Sequence, residues 1–199
     1  MTPDPSTTLI RHGETEFSRG RRYNGVTDAP LTDRGEGLAR QLHAPLAHER
    51  WDAVLCSPLQ RARRTAELAG FAHPEIVQEL RECDYGEAEG LTTAEILSRR
   101  PTWDFWRDGA PGGESAADVA KRLEPVLARL RRLQGRTLLF SHSHTIRVLA
   151  ARWLGLEASQ AAIFALEPAR ISELGIHREQ PILLRWNSPA GPTTIEEAD

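Results

Sequence analysis

Short apolar runs alternate with amphipathic stretches along the chain, and the alternation predicts strands and helices in turn. Residues 7–11 form an apolar run of strand length. Thr32 is placed as the N-cap of a helix running to about residue 49, with Pro45 bending or interrupting it. Residues 52–56 read as a second strand. The run Ser57-Pro58-Leu59-Gln60 follows as a capping box with proline at the first helical position. Its helix is expected to reach about residue 69 and to end at Gly70, and residues 75–80 are expected as a third strand. Thr92 and Glu95 form another capping box before a short helix that stops ahead of Pro101. Residues 101–113, with Trp103, Phe105 and Trp106 among prolines and glycines, read as a structured loop. An amphipathic helix containing Pro125 is expected from Ser115 to about residue 133. Residues 137–141 read as a buried strand, and residues 145–154 as a helix closed by Gly155 at C′. Residues 171–176 and 182–186 are the last strands, and the tail from about residue 189 reads as mobile.

The order β-α-β-α-β-α-α-β-α-β-β predicts an α/β fold, a three-layer α/β/α sandwich around a mainly parallel sheet. One domain is expected over residues 1–199, with its core at about 7–186. Ligands in such sheets sit beyond the carboxyl ends of the strands. That rule gathers four sets of residues on one edge: Arg11 and His12, Ser57 and Arg61, Arg81 and Glu82, and His142.

Composition narrows the class. The chain has 199 residues with 40% hydrophobic and 27% charged, enough to bury a core without staples. The net charge of −3 gives no global basic field, so a nucleic-acid partner is not expected. No apolar run reaches membrane-spanning length, and residues 1–8 lack the pattern of a signal peptide. Cys56 and Cys83 show no metal-ligand spacing, which points to a reducing compartment, the cytoplasm. A homodimer is left open as the assembly. Lys121 is the only lysine, so nearly every cation is an arginine suited to bidentate phosphate contacts.

The edge residues fit phosphoryl transfer. A neutral imidazole at His12 can attack phosphorus, and neighbouring arginines lower its pKa below the ordinary value of about 6.5. Gly13 is expected to let a ligand approach the backbone. Arg11 and Arg61 can pair with phosphoryl oxygens, and amides near the Ser57 cap extend the anion site. His142 can donate a further hydrogen bond. A carboxylic acid must protonate the leaving oxygen and then activate water; Glu82 is the best placed, with Asp84 and Glu14 as competitors.

The motifs Arg11-His12-Gly13-Glu14-Thr15, Asn24-Gly25, Ser57-Pro58-Leu59 with Arg61-Ala62, Leu80-Arg81-Glu82 with Tyr85-Gly86, and Ser141-His142 appear in order. Together they resemble the histidine phosphatase superfamily, also called phosphoglycerate mutase-like, over roughly residues 7–186. The resemblance implies a phosphohistidine at His12, a phosphate pocket of Arg11, Arg61 and His142, and Glu82 as proton donor. Asn24, Gly25 and Tyr85 match positions that line the substrate pocket. Thr15-Glu16-Phe17-Ser18, Asp84-Tyr85-Gly86, Trp106-Arg107-Asp108-Gly109 and His142-Ser143-His144 are similar to sedoheptulose-1,7-bisphosphatase-like and broad-specificity bacterial phosphatases. Ser18, Ser143 and His144 thereby join the expected substrate contacts. Ser143 stands where the family commonly has glycine, and where its acid phosphatase and phytase branch has its acid, which favours Glu82.

The expected function is hydrolysis of a small phosphorylated metabolite, with sugar phosphates preferred and no cofactor required. Phosphoglycerate mutase, a non-catalytic phospho-ligand module and a metal-dependent hydrolase are the alternatives. The His142-x-His144 pair lacks a matching carboxylate cluster, so no metal site is expected. His43, His48, His73 and His177 read as surface or structural. Arg129, Arg131, Arg132 and Arg136 read as a solvated helix face. The Trp103, Phe105 and Trp106 group is either a sugar-stacking lid or loop core.

Overall fold

Alternation within three strands decides the layering. In a computed structural model that describes residues 5–190, Leu9, Leu55 and Leu139 enter one apolar cluster. Their neighbours Ile10, Cys56, Leu138 and Phe140 enter a second. Successive strand residues point to opposite faces, so one sheet separates two cores. The strands are β1 (Ser6–Arg11), β2 (Ala53–Cys56), β3 (Glu75–Ile76), β4 (Arg136–Ser141), β5 (Ile171–His177) and β6 (Gln180–Ser188). Their order is β3-β2-β4-β1-β5-β6. The pairs β1–β4, β2–β4 and β2–β3 are parallel; β1–β5 and β5–β6 are antiparallel.

The helices are α1 (Glu16–Arg19), α2 (Asp33–Gln41), α3 (His43–Ala47), α4 (Gln60–Leu68), α5 (Thr93–Leu97), α6 (Phe105–Asp108), α7 (Ala116–Arg132) and α8 (Ser143–Trp153). Val119, Leu123 and Leu127 of α7 join Ile146 and Leu149 of α8 in the first core. Ala39 of α2 is also buried, while Leu46 of α3 and Ala62 and Ala66 of α4 join the second core. This is the expected α/β/α arrangement with a mainly parallel sheet.

Several local expectations change. The helix placed at residues 32–49 is two helices that meet at Leu42, and Pro45 sits in the first turn of α3, where proline is tolerated. The third strand holds only Glu75–Ile76, both exposed at the sheet edge. Residues 78–80 form a 3-10 turn that buries Leu80. The expected loop at residues 101–113 contains α6, whose amides of Trp106 and Arg107 are capped by Asp104. The Ser57 capping box does not form. Helix α4 starts at Gln60, and its first amide donates to the Asp28 carboxylate at 2.8 Å. The expected tail lies mostly outside the described residues.

Gly13 also has a different use. A Cβ on it would lie 2.5 Å from the Gly35 carbonyl, and a Cβ on Gly35 would lie 2.1 Å from the Glu14 carbonyl. The two glycines let α2 cross the backbone after β1 at contact, so a helix rather than a ligand occupies that space. Gly37, in the same helix, has nothing within 4 Å of such a Cβ. Helix propensity alone favours alanine at both positions by roughly 0.5–1 kcal/mol. Gly37→Ala is therefore expected to raise the urea midpoint. Gly35→Ala is expected to lower it, by about 1–3 kcal/mol of overpacking. Equal shifts of the same sign would remove this account of the crossing.

Candidate active site

Strand register brings the chemistry together. Arg11 pairs with Ser141 across β1 and β4, so His12 and His142 leave adjacent parallel strands at one level. The His12 amide donates to the Ser141 carbonyl at 3.0 Å, and the two ring centroids are 5.1 Å apart. Cys56 pairs with Phe140 across β2 and β4, which sets Ser57 beside them. Ser57 Oγ lies 2.7 Å from His142 Nε2.

His12 is held in one tautomer. Its Nδ1 lies 2.7 Å from the Gly13 carbonyl, which can only accept, so Nδ1 carries the proton and Nε2 keeps its lone pair. Burial first, then the cations Arg61 and Arg11, hold its pKa well below the ordinary imidazole value. His142 is depressed in the same way, by burial, Arg61 and His12. Arg61 Nε donates to His142 Nδ1 at 3.2 Å, which leaves the His142 proton on Nε2.

A cavity of about 270 Å³ opens beside these strand ends. Arg11, His12, Ser18, Asn24, Glu82, Tyr85, Ser143 and His144 all line it, with Thr15, Arg21, Arg22 and Tyr23 completing the wall. Among the described residues, two buried side-chain polar atoms lack a hydrogen-bond partner, Arg11 Nε and Asn24 Oδ1. Both belong to residues of this wall. A buried group left unsatisfied costs about 1–3 kcal/mol, so one donor and one acceptor on wall residues remain to be satisfied.

Glu82 occupies the start of α8. Its carboxylate accepts from the amides of Cys83, His144 and Thr145 at 3.0, 3.2 and 3.1 Å. These amides fix the carboxyl group in the cavity wall. The competitors are committed elsewhere. Glu14 bonds Thr32 and Arg34, and Asp84 accepts the Gly86 amide within its own turn.

Three of the expected site residues do not line the cavity. Arg61 and His142 are fully buried behind His12. Arg61 spends its fork on the carbonyls of Thr27, Asn24 and Gly25, so it ties the loop carrying Asn24 to the sheet edge. Gly25 lies under that loop, where a Cβ would fall 2.0 Å from the Cys83 carbonyl; its amide donates to Glu89.

A histidine phosphatase superfamily (branch 1) family model matches residues 7–189. The chain belongs to the histidine phosphatase superfamily. It is 39% identical over 171 residues to an acid phosphatase of Mycobacterium tuberculosis, covering 84% of each chain. It is 32% identical over 185 residues to the sedoheptulose 1,7-bisphosphatase of Saccharomyces cerevisiae, covering 76% of this chain and 68% of that one. A solved structure of a Mycobacterium tuberculosis open reading frame product superposes with a TM-score of 0.89 at 34% identity, covering 95% of this chain and 100% of that one. The protein is a phosphatase of this superfamily.

Sequence reasoning missed some of this phosphatase's site. Ser57 has the sequence of a helix cap and instead contacts His142. Thr65 Oγ1 accepts the Gly13 amide at 3.0 Å, and it gave no signal beyond its place one turn after Arg61. The aromatic loop is divided: Trp103 and Phe105 are core, while Trp106 stacks on His144 at 4.8 Å and 17°. The Arg147 guanidinium lies 4.3 Å from the Trp106 ring centroid, and burial lowers its pKa to about 10. Tyr85 OH lies 2.6 Å from His144 Nδ1; burial raises the phenol and lowers the imidazole, so a neutral pair shares this hydrogen bond. Among the described residues, no group of three or more His, Cys, Asp or Glu side chains is arranged to hold a metal ion, and no helix is long and apolar enough to cross a membrane.

His12, His142 and His144 are all depressed in the folded state. The unfolded chain then binds more protons than the folded one below about pH 6.5, so folded stability falls with pH. Each group contributes a slope of up to about 1.4 kcal/mol per pH unit in that range. Urea unfolding at pH 7.5, 6.5 and 5.5 is expected to show stability falling at both steps, more steeply at the second. A midpoint that rises on acidification would contradict the neutral-imidazole assignment.

Proposed function

We propose that this histidine phosphatase hydrolyses small phosphomonoesters through a phosphohistidine formed on His12. The fixed, neutral tautomer carries the reading: Nδ1–H is held by the Gly13 carbonyl, and Nε2 is left with its lone pair among cations. In the first step Nε2 attacks phosphorus in line and the ester P–O bond breaks. Glu82, protonated, gives its proton to the leaving alkoxide. In the second step the Glu82 carboxylate takes a proton from water as that oxygen attacks phosphorus. The P–N bond breaks, inorganic phosphate leaves and His12 is restored.

The remaining residues have supporting roles in this scheme. Arg11 turns its unpartnered Nε–H to a phosphoryl oxygen, and His142, its Nε2–H held by Ser57, backs the His12 ring. Arg61 fixes the His142 ring and keeps the His12 proton count low. Ser18, Asn24, Tyr85, Ser143 and His144 meet the alcohol portion of the substrate. Gly25 contributes backbone shape. The cavity, at about 270 Å³, is below the ~300–1,000 Å³ typical of drug-sized ligands, which suits a small metabolite. A sugar phosphate is the preferred class, supported by the similarity to a sedoheptulose 1,7-bisphosphatase. Two buried free thiols, Cys56 and Cys83, with pKa values raised by burial, suit a reducing cytoplasm.

Phosphate release across a panel of phosphorylated metabolites is expected for the wild type and to fall about a thousandfold or more in His12→Ala. Near-normal rates in that variant would refute the nucleophile. Glu82→Gln is expected to slow alkyl phosphates by roughly 10²–10⁴ and p-nitrophenyl phosphate far less, because the aryl oxide needs no proton to leave. Equal slowing of both would remove Glu82 as the acid.

A further inference from the structure

Arg21 stands at a position where the backbone favours glycine. Helix α1 closes with the Arg22 amide donating to the Phe17 carbonyl at 2.8 Å and the Arg21 amide donating to the Ser18 carbonyl at 3.2 Å. That is the two-bond Schellman closure, and its C′ residue is left-handed and most often glycine. Here C′ is Arg21, with φ of 52°. A side chain in that conformation costs roughly 1–2 kcal/mol relative to the right-handed region. Arg21 is an exposed residue of the cavity wall. Among the described residues it makes no salt bridge and no side-chain hydrogen bond of the kind its neighbours make. Arg22 is engaged by Glu95 and the Gly90 carbonyl at 2.8 Å each, and Arg19 pairs with Glu16. Arg11 is engaged by the Leu166 carbonyl.

The cavity wall thus carries three arginines, of which Arg22 is paired with Glu95 and Arg11 and Arg21 are differently placed. Arg11 sits at the strand end beside His12, and Arg21 sits on the wall contributed by the α1 turn. One phosphoryl group occupies the first. The second remains for another anionic group on the same substrate. We propose that Arg21 is a specificity-determining residue that receives a second phosphate or a carboxylate carried on the alcohol portion of the substrate. The inference rests on the phosphohistidine reading for the placement of the scissile phosphate. Its own content is that this enzyme prefers doubly anionic phosphomonoesters.

The test compares kcat/KM for fructose 1,6-bisphosphate and for 3-phosphoglycerate with that for glycerol 3-phosphate, which has no second anion. Arg21→Gly suits the left-handed backbone, so the variant keeps the turn while losing the cation. The ratio of doubly to singly anionic substrate is expected to drop roughly tenfold in Arg21→Gly, through KM rather than kcat. Arg21→Lys, which restores the charge, is expected to recover most of that ratio. A drop with the bisphosphate identifies a second phosphate, and a drop with 3-phosphoglycerate identifies a carboxylate. Ratios unchanged for both substrates in Arg21→Gly would overturn the proposal. His12→Ala, measured on all three substrates, reports separately on the nucleophile: turnover retained there refutes the phosphohistidine reading, whatever the Arg21 ratios show.

Discussion

The parallel pairing of β1 with β4 is the constraint on which the site depends. Arg11 opposite Ser141 puts two imidazoles at the ends of neighbouring strands, 5.1 Å apart between ring centroids. A slip of one residue would turn each side chain to the opposite face of the sheet. The apolar pattern prevents that slip, because Leu9 and Ile10, like Leu138 and Leu139, belong to different cores. Site geometry and fold stability are therefore one requirement. The same residues that separate the two hydrophobic clusters aim His12 and His142 at a single edge.

Burial then does the electrostatic work. Placing Arg61 fully inside the protein is unfavourable unless its donors are satisfied, and they are met by three backbone carbonyls and the His142 ring. Burial depresses both neighbouring imidazoles, and the Arg61 charge, weakly screened in the interior, adds to that depression. One residue thus fixes a loop, orients a ring and reinforces a protonation state that burial begins. At α8 the first amides hold the Glu82 carboxyl group in place. Two orphaned polar atoms, on Arg11 and Asn24, remain in the same wall.

Much of this was legible in the residues. The strand-end rule alone gathered His12, Ser57, Arg61, Glu82 and His142 on one edge, because strand polarity follows from chain order. What a side chain does at that edge was less legible. Ser57 has the sequence of a helix cap, yet Asp28, distant in the chain, caps α4 and frees Ser57 for His142. Gly13 reads as space for a ligand, but its partner is Gly35, and no local pattern announces a crossing between two glycines. Residues 75–80 are apolar enough to read as one strand. Tertiary packing instead bends them to bury Leu80. Arg21 gave no signal, since its meaning lies in a left-handed φ that composition does not reveal.

The central claim is a transient bond between His12 Nε2 and phosphorus. Rapid quenching during turnover into alkali, followed by peptide mapping by mass spectrometry, measures it directly. The account predicts a phosphoryl adduct on His12 that survives alkali and is lost in acid, forming and decaying at rates compatible with turnover. Full-speed hydrolysis with no adduct on His12, or with the phosphoryl group on another residue, would contradict it.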